Sequence, residues 1–546
     1  MRVTKGAQIV AGAALLALAV AACGGGASTG SSGAGSGETP VRMEVGEPQH
    51  ALVPGLTAES EGAEILAAIY DPLVNYNENK QADPNVAESV STTDNKVWTI
   101  KLKQGYTWHD GTKLTAQDYV NAWNWVARKS SAADATGFMA KIDGYADLNP
   151  EGEGVMETVK EMKGLKVVDD TTFTVTLASP FSQFGLMLGY TAFYPMHPKS
   201  WEADGKLTAA AQEQPVGMGL FKLDKAYKKG TDQTIDLTVY DKFTGTKPKG
   251  WTKLQFKLYT SSETAYNDLQ GEQLDIHDSI PATQLSSAKT ALGERYHDDP
   301  DSAVGYIGVP LAYNKEYQNA DVRKAISMAI DRKTISEVVF SGSRSPADDF
   351  ISPVVDGYRQ GACGEACTYN PTAAKELYTK AGGPKKIELG YNADGGHKEW
   401  IEATANNLRQ NLGVEVEAKP FEKFASILES LQNKEYSGLF RMAWSYDYPS
   451  PENYLRPIFG KIAIANGSNY GGYDNPEFDK LVDQGDQAAT ADESVKFYQQ
   501  ADDVLLKDLP YIPVYFYRTN WGHSTKIKNV SLNLLKQVNW AAVEKA

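Results

Sequence analysis

Lys96-Val-Trp-Thr-Ile-Lys-Leu-Lys103, followed closely by Trp108-His-Asp-Gly-Thr-Lys-Leu-Thr-Ala-Gln-Asp118, is the stretch from which the fold class is read. Trp98, Ile100 and Leu102 alternate with Thr99 and Lys101, the pattern of a strand that buries one face. His109-Asp-Gly-Thr112 is turn chemistry, because Gly111 is free to take a backbone conformation that side chains resist. Thr115 and Asp118 then stand at capping-box spacing, opening a helix that carries Tyr119, Val120, Ala122, Trp123 and Val126. The tryptophans read as core, since large rings on a periodic apolar face are more often buried than exposed. Strands and helices alternate in this way through most of the chain, which predicts an α/β (mixed α+β) protein with two lobes and a cleft.

Towards the N-terminus, Arg2 and Lys5 precede an alanine- and leucine-rich run that ends in Val20-Ala21-Ala22-Cys23. Residues 1–22 read as a secretory signal peptide, and Cys23 as a lipidated first residue of the mature chain that ties it to the outer face of the cytoplasmic membrane. A plain signal peptide that happens to contain a cysteine is the other reading. Residues 23–40 combine that cysteine with a Gly/Ser-rich tether. Within the tether, Gly26-Ala27-Ser28-Thr29-Gly30 matches G-x-S-x-G but lacks the strand and helix that a nucleophile elbow needs.

The 546 residues leave a folded part too long for one core. Net charge is −15, about −17 once Arg2 and Lys5 leave with the leader, so nucleic acid is not expected as a partner. Apart from Cys23 there are two cysteines, Cys363 and Cys367; in an exported chain such a pair reads as a disulfide, while a metal site would need further ligands. The histidines are scattered without metal-ligand spacing, and no metal or other cofactor is expected. Gly245 to Gly250 has P-loop spacing, but Trp251 stands where the lysine must be.

Arg441-Met-Ala-Trp-Ser-Tyr-Asp-Tyr-Pro-Ser-Pro451 is the candidate ligand site. Asp447 lies among Trp444, Tyr446 and Tyr448, with Arg441 upstream and two prolines closing the segment. One carboxylate, one guanidinium and aromatic walls suit a zwitterion, whose ammonium and carboxylate need opposite partners. The plainer alternative is a strand end capped by a turn, with the acid paired to a local donor.

Several ordered blocks carry a family resemblance. They are the stretch quoted first, Asn85-Val-Ala-Glu-Ser89, Pro215-Val-Gly-Met-Gly-Leu-Phe-Lys222, Leu269-Gln-Gly-Glu-Gln-Leu-Asp-Ile276, Asp321-Val-Arg-Lys-Ala-Ile-Ser-Met-Ala-Ile-Asp-Arg332 and Asn475-Pro-Glu-Phe-Asp-Lys-Leu-Val482. Together they resemble the peptide/nickel class (family 5) of extracytoplasmic solute-binding proteins, nearest the oligopeptide-binding lipoproteins of ABC importers. In the Asp321 block, Val322, Ala325, Ile326, Ala329 and Ile330 follow helical spacing. That spacing leaves Lys324, Arg332 and Lys333 for solvent and sets Arg323 beside the stripe, where it can pair internally.

The resemblance implies a bilobed clamp with two hinge crossings near 300 and 508. One lobe would comprise residues 41–70, 196–300 and 509–546, with a subdomain at 71–195 and a second lobe at 301–508. It also implies that Asp447, in Trp444-Ser-Tyr-Asp-Tyr448, takes a peptide's α-ammonium, and that Arg441 or His397 takes its carboxylate. The peptide main chain would pair with cleft strands, a candidate edge lying near Ala58 to Glu61 ahead of a helix, and Ala443, Ser445, Ser60 and Glu61 complete the expected ligand-binding set. The expected partners are short peptides, an ABC permease and its ATPase; the chain is expected to be a monomer and not an enzyme. A non-peptide solute (oligosaccharide, siderophore or metal chelate), an exported peptidase and a peptide-sensing signalling receptor are the alternatives.

Overall fold

The computed structural model describes residues 38–546 apart from 58, 78, 153, 203–204 and 394–395. The leader, Cys23 and residues 24–37 of the tether lie outside the described residues. No helix among the described residues is long and apolar enough to cross a membrane.

The strand–turn–helix read from the sequence is present. Strand Val97–Leu102 buries Trp98, Ile100 and Leu102. It pairs within a four-stranded antiparallel sheet in the order Ala87–Thr92, Val97–Leu102, Thr172–Thr176, Leu165–Asp169. Helix Ala116–Ala127 starts at Thr115, whose backbone N–H and hydroxyl donate to the Asp118 carboxylate at 2.9 and 3.1 Å. The indole N–H of Trp108 adds a third donor at 3.2 Å, so the buried acid is satisfied and the turn is locked to the helix. Trp108 and Trp123 are wholly buried.

The main sheet has eleven strands and runs through both lobes without a break. From one edge its order is Glu415–Phe421, Lys386–Asn392, Leu439–Trp444, Tyr296–Gly308, Tyr511–His523, Ile276–His277, Val41–Val45, Lys253–Leu258, Thr234–Val239, Phe221–Leu223, with Arg344–Pro346 branching from Tyr511–His523. Tyr296–Gly308 and Tyr511–His523, each 13 residues long, pair antiparallel and carry the chain between the lobes. Their register slips between Pro300 and Val304. Pro300 has no N–H to give to the ladder, and a bulge of this kind bends the strand and turns Asp301 and Ser302 out of it. On either side lie separate apolar cores, one drawn mainly from residues 41–256 and 521–543 and two from residues 304–516.

The helix Ala320–Met328 buries Val322, Ala325 and Ile326, and Ala329 and Ile330 continue the buried stripe beyond it. Arg323 is buried too, and donates to the backbone carbonyls of Tyr317 at 2.7 Å, Gln318 at 2.8 Å and Leu509 at 2.8 Å. Arg332, expected in solvent, is instead 3% exposed. Its guanidinium donates to Pro513 O at 2.9 Å, Ser327 O at 2.9 Å and Ser327 Oγ at 2.7 Å. The reason is tertiary: the end of this helix abuts the long strand Tyr511–His523, which offers a proline carbonyl but no carboxylate. Burial lowers the Arg332 pKa to about 9. Cys363 and Cys367 form a disulfide with a Cα separation of 5.5 Å.

Candidate functional site

Strand Leu439–Trp444 ends where the polar, proline-bearing turn begins, and helix Glu452–Phe459 follows. Asn453, in the first turn of that helix, reaches back to the loop. Its Oδ1 accepts from the Asp447 backbone N–H at 2.9 Å, and its Nδ2 donates to Asp447 Oδ2 at 3.2 Å. The acid therefore has a neutral local donor. It has no cationic partner within 4 Å among the described residues, and it faces a cleft of about 770 Å³ whose walls come from both lobes. Burial pushes its carboxyl up to about 6; Asn453 pulls it down, and the charge of Glu452 pushes it up again.

Ser445 and Tyr446 line the same cleft. The Ser445 hydroxyl is 2.6 Å from that of Ser302 in the bulge of the crossing strand, and the Tyr446 hydroxyl donates to Leu534 O. Ser60 and Glu61 line it from the other lobe. They are not a strand edge, however. The extended backbone ends at Glu59, the N-cap, and Ser60–Ile69 is helix, so any main-chain pairing by Ser60 and Glu61 has to use the helix's first turn, where backbone N–H groups lack intrahelical acceptors.

The other expected site residues stand off the cleft lining. Tyr448 is buried against Phe181, with ring centroids 6.5 Å apart, and its hydroxyl donates to Glu452. Ala443 and Trp444 are half-buried on the strand; the indole N–H of Trp444 is buried without an acceptor among the described residues. Arg441 is buried behind the wall, where Nη1 donates to Asn392 Oδ1 at 3.0 Å and the guanidinium carbon lies 5.6 Å from the Phe424 ring. His397 Nδ1 accepts from the Trp400 indole at 3.3 Å.

The cleft also contains charged groups that sequence reasoning missed. Arg344 and Tyr517 line it together, as do Arg518, Lys536, Asp301, Glu44 and Asp278. Lys536 pairs with Asp301 at 3.1 Å and Arg518 with Asp298 at 2.6 Å. Burial raises the Asp301 pKa, but Lys536, the Ala303 N–H and Thr519 outweigh it and hold the carboxyl below its ordinary value. Glu44, His277 and Asp278 bring three ligand-type atoms within 4.8 Å of one another and are the group able to hold a cation among the described residues. Both ring nitrogens of His277 already face protein partners, Glu44 at 3.1 Å and the Ser262 hydroxyl at 3.2 Å, so hydrogen bonding accounts for them. No motif marks any of these positions: Glu44 meets His277 through the pairing of Val41–Val45 with Ile276–His277, while Arg518 meets Asp298 through the crossing strands.

Two lobes, joined by a pair of crossing strands around a charged and aromatic cleft, define a clamp-type solute receptor. The particular family follows from comparison: the chain belongs to the bacterial extracellular solute-binding proteins, family 5, whose model (family 5 Middle) matches residues 81–466. The oligopeptide-binding protein OppA of Bacillus subtilis is 26% identical over 533 residues, covering 94% of this chain and 95% of its own. Heme-binding protein A of Haemophilus influenzae is 26% identical over 478 residues, 82% of this chain and 81% of its own. In structure, Haemophilus influenzae OppA in complex with the peptide RPPGFSPFR matches with a TM-score of 0.71 at 19% identity, covering 93% of this chain and 99% of that one, a likeness of fold.

Proposed function

We propose that this protein is the receptor of an ABC importer that captures short peptides between its lobes and passes them to a permease driven by an ATPase. The observation that carries the reading is Asp447, an acid on the cleft wall with a neutral donor and, among the described residues, no cation within 4 Å. A carboxylate withdrawn from water is stabilised by a ligand that brings a positive charge, and a peptide's α-ammonium is such a ligand. The names of several relatives support it, OppA among them. In this reading Tyr446 forms an aromatic wall, while Trp444 and Tyr448 back the loop that holds Asp447. Ala443 to Ser445 and the helix start at Ser60 and Glu61 meet the peptide main chain. Lobes at 41–70 with 196–300 and 509–546, a subdomain at 71–195 and a lobe at 301–508 close about the two crossing strands as a hinge, a motion established for periplasmic binding proteins. The mature chain works as a monomer, anchored through a lipid on Cys23 at the outer face of the cytoplasmic membrane.

Calorimetric titration with tri- to pentapeptides and their N-acetylated forms tests the ligand. Free-amine peptides should bind, and acetylation or Asp447→Asn should each weaken binding tenfold or more, about 1.4 kcal/mol. Equal binding of free and acetylated peptides, or none of either, overturns the peptide reading. Cys23→Ser should release the full-length protein from the membrane fraction; retention would count against the anchor.

A further inference from the structure

Strands Val41–Val45 and Ile276–His277 pair in parallel with Met43 opposite Ile276, and both of those side chains are fully buried. Successive residues of a strand point to opposite faces, so Glu44 and His277, the next residue on each, stand side by side on the other face. Asp278 follows directly, and Glu44, Asp278 and Glu64 line the cleft. Glu44, His277 and Asp278 bring three ligand-type atoms within 4.8 Å of one another.

The hydrogen bonds around His277 fix where its ring proton sits. The Ser262 hydroxyl donates its one proton to Ser279 O at 2.8 Å, so towards the imidazole its oxygen only accepts. Nε2 lies 3.2 Å from that oxygen and 3.2 Å from Ser262 O, a carbonyl, which also only accepts. Nε2 is therefore the N–H of the ring, and in the neutral imidazole Nδ1 carries a lone pair. This nitrogen, on a side chain that is wholly buried, faces Glu44 Oε2 at 3.1 Å. Two acceptors at that distance need a positive charge between them, either a proton or a metal ion. Metal-ligating histidines commonly give their other N–H to a backbone carbonyl in this way, which holds the tautomer and the ring orientation.

The surroundings are short of positive charge. Burial and the charges of Glu44 and Glu64 push the Asp278 carboxyl well above its ordinary value, while Lys536 pulls it down; Lys536 already pairs with Asp301 at 3.1 Å. Glu64, 6% exposed, accepts from the Val538 N–H at 3.3 Å and has no cationic partner within 4 Å among the described residues. A divalent cation at the Glu44–His277–Asp278 corner relieves more of this repulsion than a single proton does.

A tetrahedral ion bonded at about 2.0–2.2 Å holds its donors about 3.3–3.6 Å apart, close to the spacing of Glu44 and His277. One imidazole with two carboxylates suits a borderline ion such as Zn²⁺, whereas Mg²⁺ and Ca²⁺ call for oxygen donors. We propose that Glu44, His277 through Nδ1, and Asp278 hold a divalent transition-metal ion of the zinc type on the cleft wall, leaving a coordination position open to the cleft. An ion there offers a Lewis acid to a donor atom of the enclosed solute. Such a site stands whichever solute the cleft takes.

The full-length protein, freed of metal with a chelator, is titrated calorimetrically with Zn²⁺ alone and separately with Mg²⁺, and X-ray absorption of the zinc-loaded wild type reads the ligands without any substitution. One Zn²⁺ should bind per chain, through one imidazole and oxygen donors with no sulfur, and Mg²⁺ should not match it. Asp278→Asn and His277→Gln, each checked for folding by circular dichroism, should weaken Zn²⁺ binding by at least about tenfold. His50→Gln, at the exposed histidine that pairs with Asp134, should leave it unchanged. The assignment is overturned if Zn²⁺ does not bind, if Mg²⁺ binds as tightly, or if the absorption shows a sulfur ligand such as Cys23 would supply. It is equally overturned if folded Asp278→Asn and His277→Gln bind Zn²⁺ as wild type does, or if His50→Gln abolishes binding.

Discussion

At Asp447 the carboxyl titrates near 6 because burial outweighs the single amide donor from Asn453. An ammonium binds the ionised form, so affinity should be level above pH 6 and fall as pH drops through it, by up to tenfold per unit. Titrations between pH 5 and 8 should show this slope in wild type and not in Asp447→Asn. Glu64 is the opposite kind of acid: it is 6% exposed, burial raises it to about 8, and one backbone N–H from Val538 pulls weakly the other way. Its folded pKa lies above the unfolded one, so the native state holds a proton the unfolded chain has lost, and stability falls as pH climbs from the ordinary carboxylate range to about 8. Glu64→Gln should remove that loss, raising stability at pH 7.5 relative to wild type by on the order of 1–3 kcal/mol, with little difference at pH 4.5. Urea melts at the two pH values measure it. Residues of this kind were only partly legible. The aromatic neighbours of Asp447 marked it, whereas Glu64 sits in an ordinary helical pattern and Arg344 in a Ser/Gly-rich loop, where nothing local announces a partner.

Among the elements, helix Ala320–Met328 shows how far periodicity reaches. Its apolar stripe follows from spacing alone, and Val322, Ala325 and Ile326 are buried as expected. Arg332 lies beyond the helix end and was assigned to solvent by the same rule, yet it is buried because the strand Tyr511–His523 passes over it. Arg323 fastens Leu509, just before that strand, and Arg332 fastens Pro513 within it. Replacing Arg332 by methionine keeps the stem but strands the Pro513 and Ser327 carbonyls, and should cost about 2–4 kcal/mol in urea melts. Arg332→Lys should recover little, since an ammonium cannot reproduce the fork that meets Pro513 and Ser327 together. Similarly, Ser60 and Glu61 were expected on an extended edge, and are helical because Glu59 already occupies the N-cap.

Across the whole molecule, a second set of contacts, away from the main sheet, joins the segment 141–182 to the segment 452–494. Lys141 reaches Glu452 at 3.4 Å, Arg456 reaches Glu452 at 3.1 Å and Asp486 at 2.8 Å, and the Ser182 hydroxyl meets that of Ser494 at 2.7 Å. Glu452 is 2% exposed; burial raises its pKa, but Lys141, Arg456 and the Tyr448 hydroxyl outweigh that and keep the carboxyl below its ordinary value. The Lys141–Glu452 and Ser182–Ser494 contacts span segments far apart in sequence, so they should weigh on the balance between open and closed clamps. Lys141→Met combined with Ser182→Ala should enlarge the ligand-free protein in solution scattering and weaken peptide binding a few-fold, because ligand affinity falls with the fraction of binding-competent protein. Unchanged scattering and affinity would mean the contacts do not bear on closure.

The sequence by itself determined the alternating strand Val97–Leu102, the Thr115–Asp118 helix start, the apolar stripe from Val322 to Ile330 and the family blocks, and it pointed to Asp447. All of these depend on neighbours within a few residues, where backbone geometry imposes periods of two or 3.6. Only the tertiary structure decided that one sheet runs through both lobes, that Arg441 lies behind the cleft wall, and that Arg344 faces the cleft on Tyr517 without an acid. The reason is that whether a charge is paired depends on which distant segments two long antiparallel strands bring within a few ångströms of it, and Coulomb and hydrogen-bond energies answer to that distance and burial rather than to spacing along the chain.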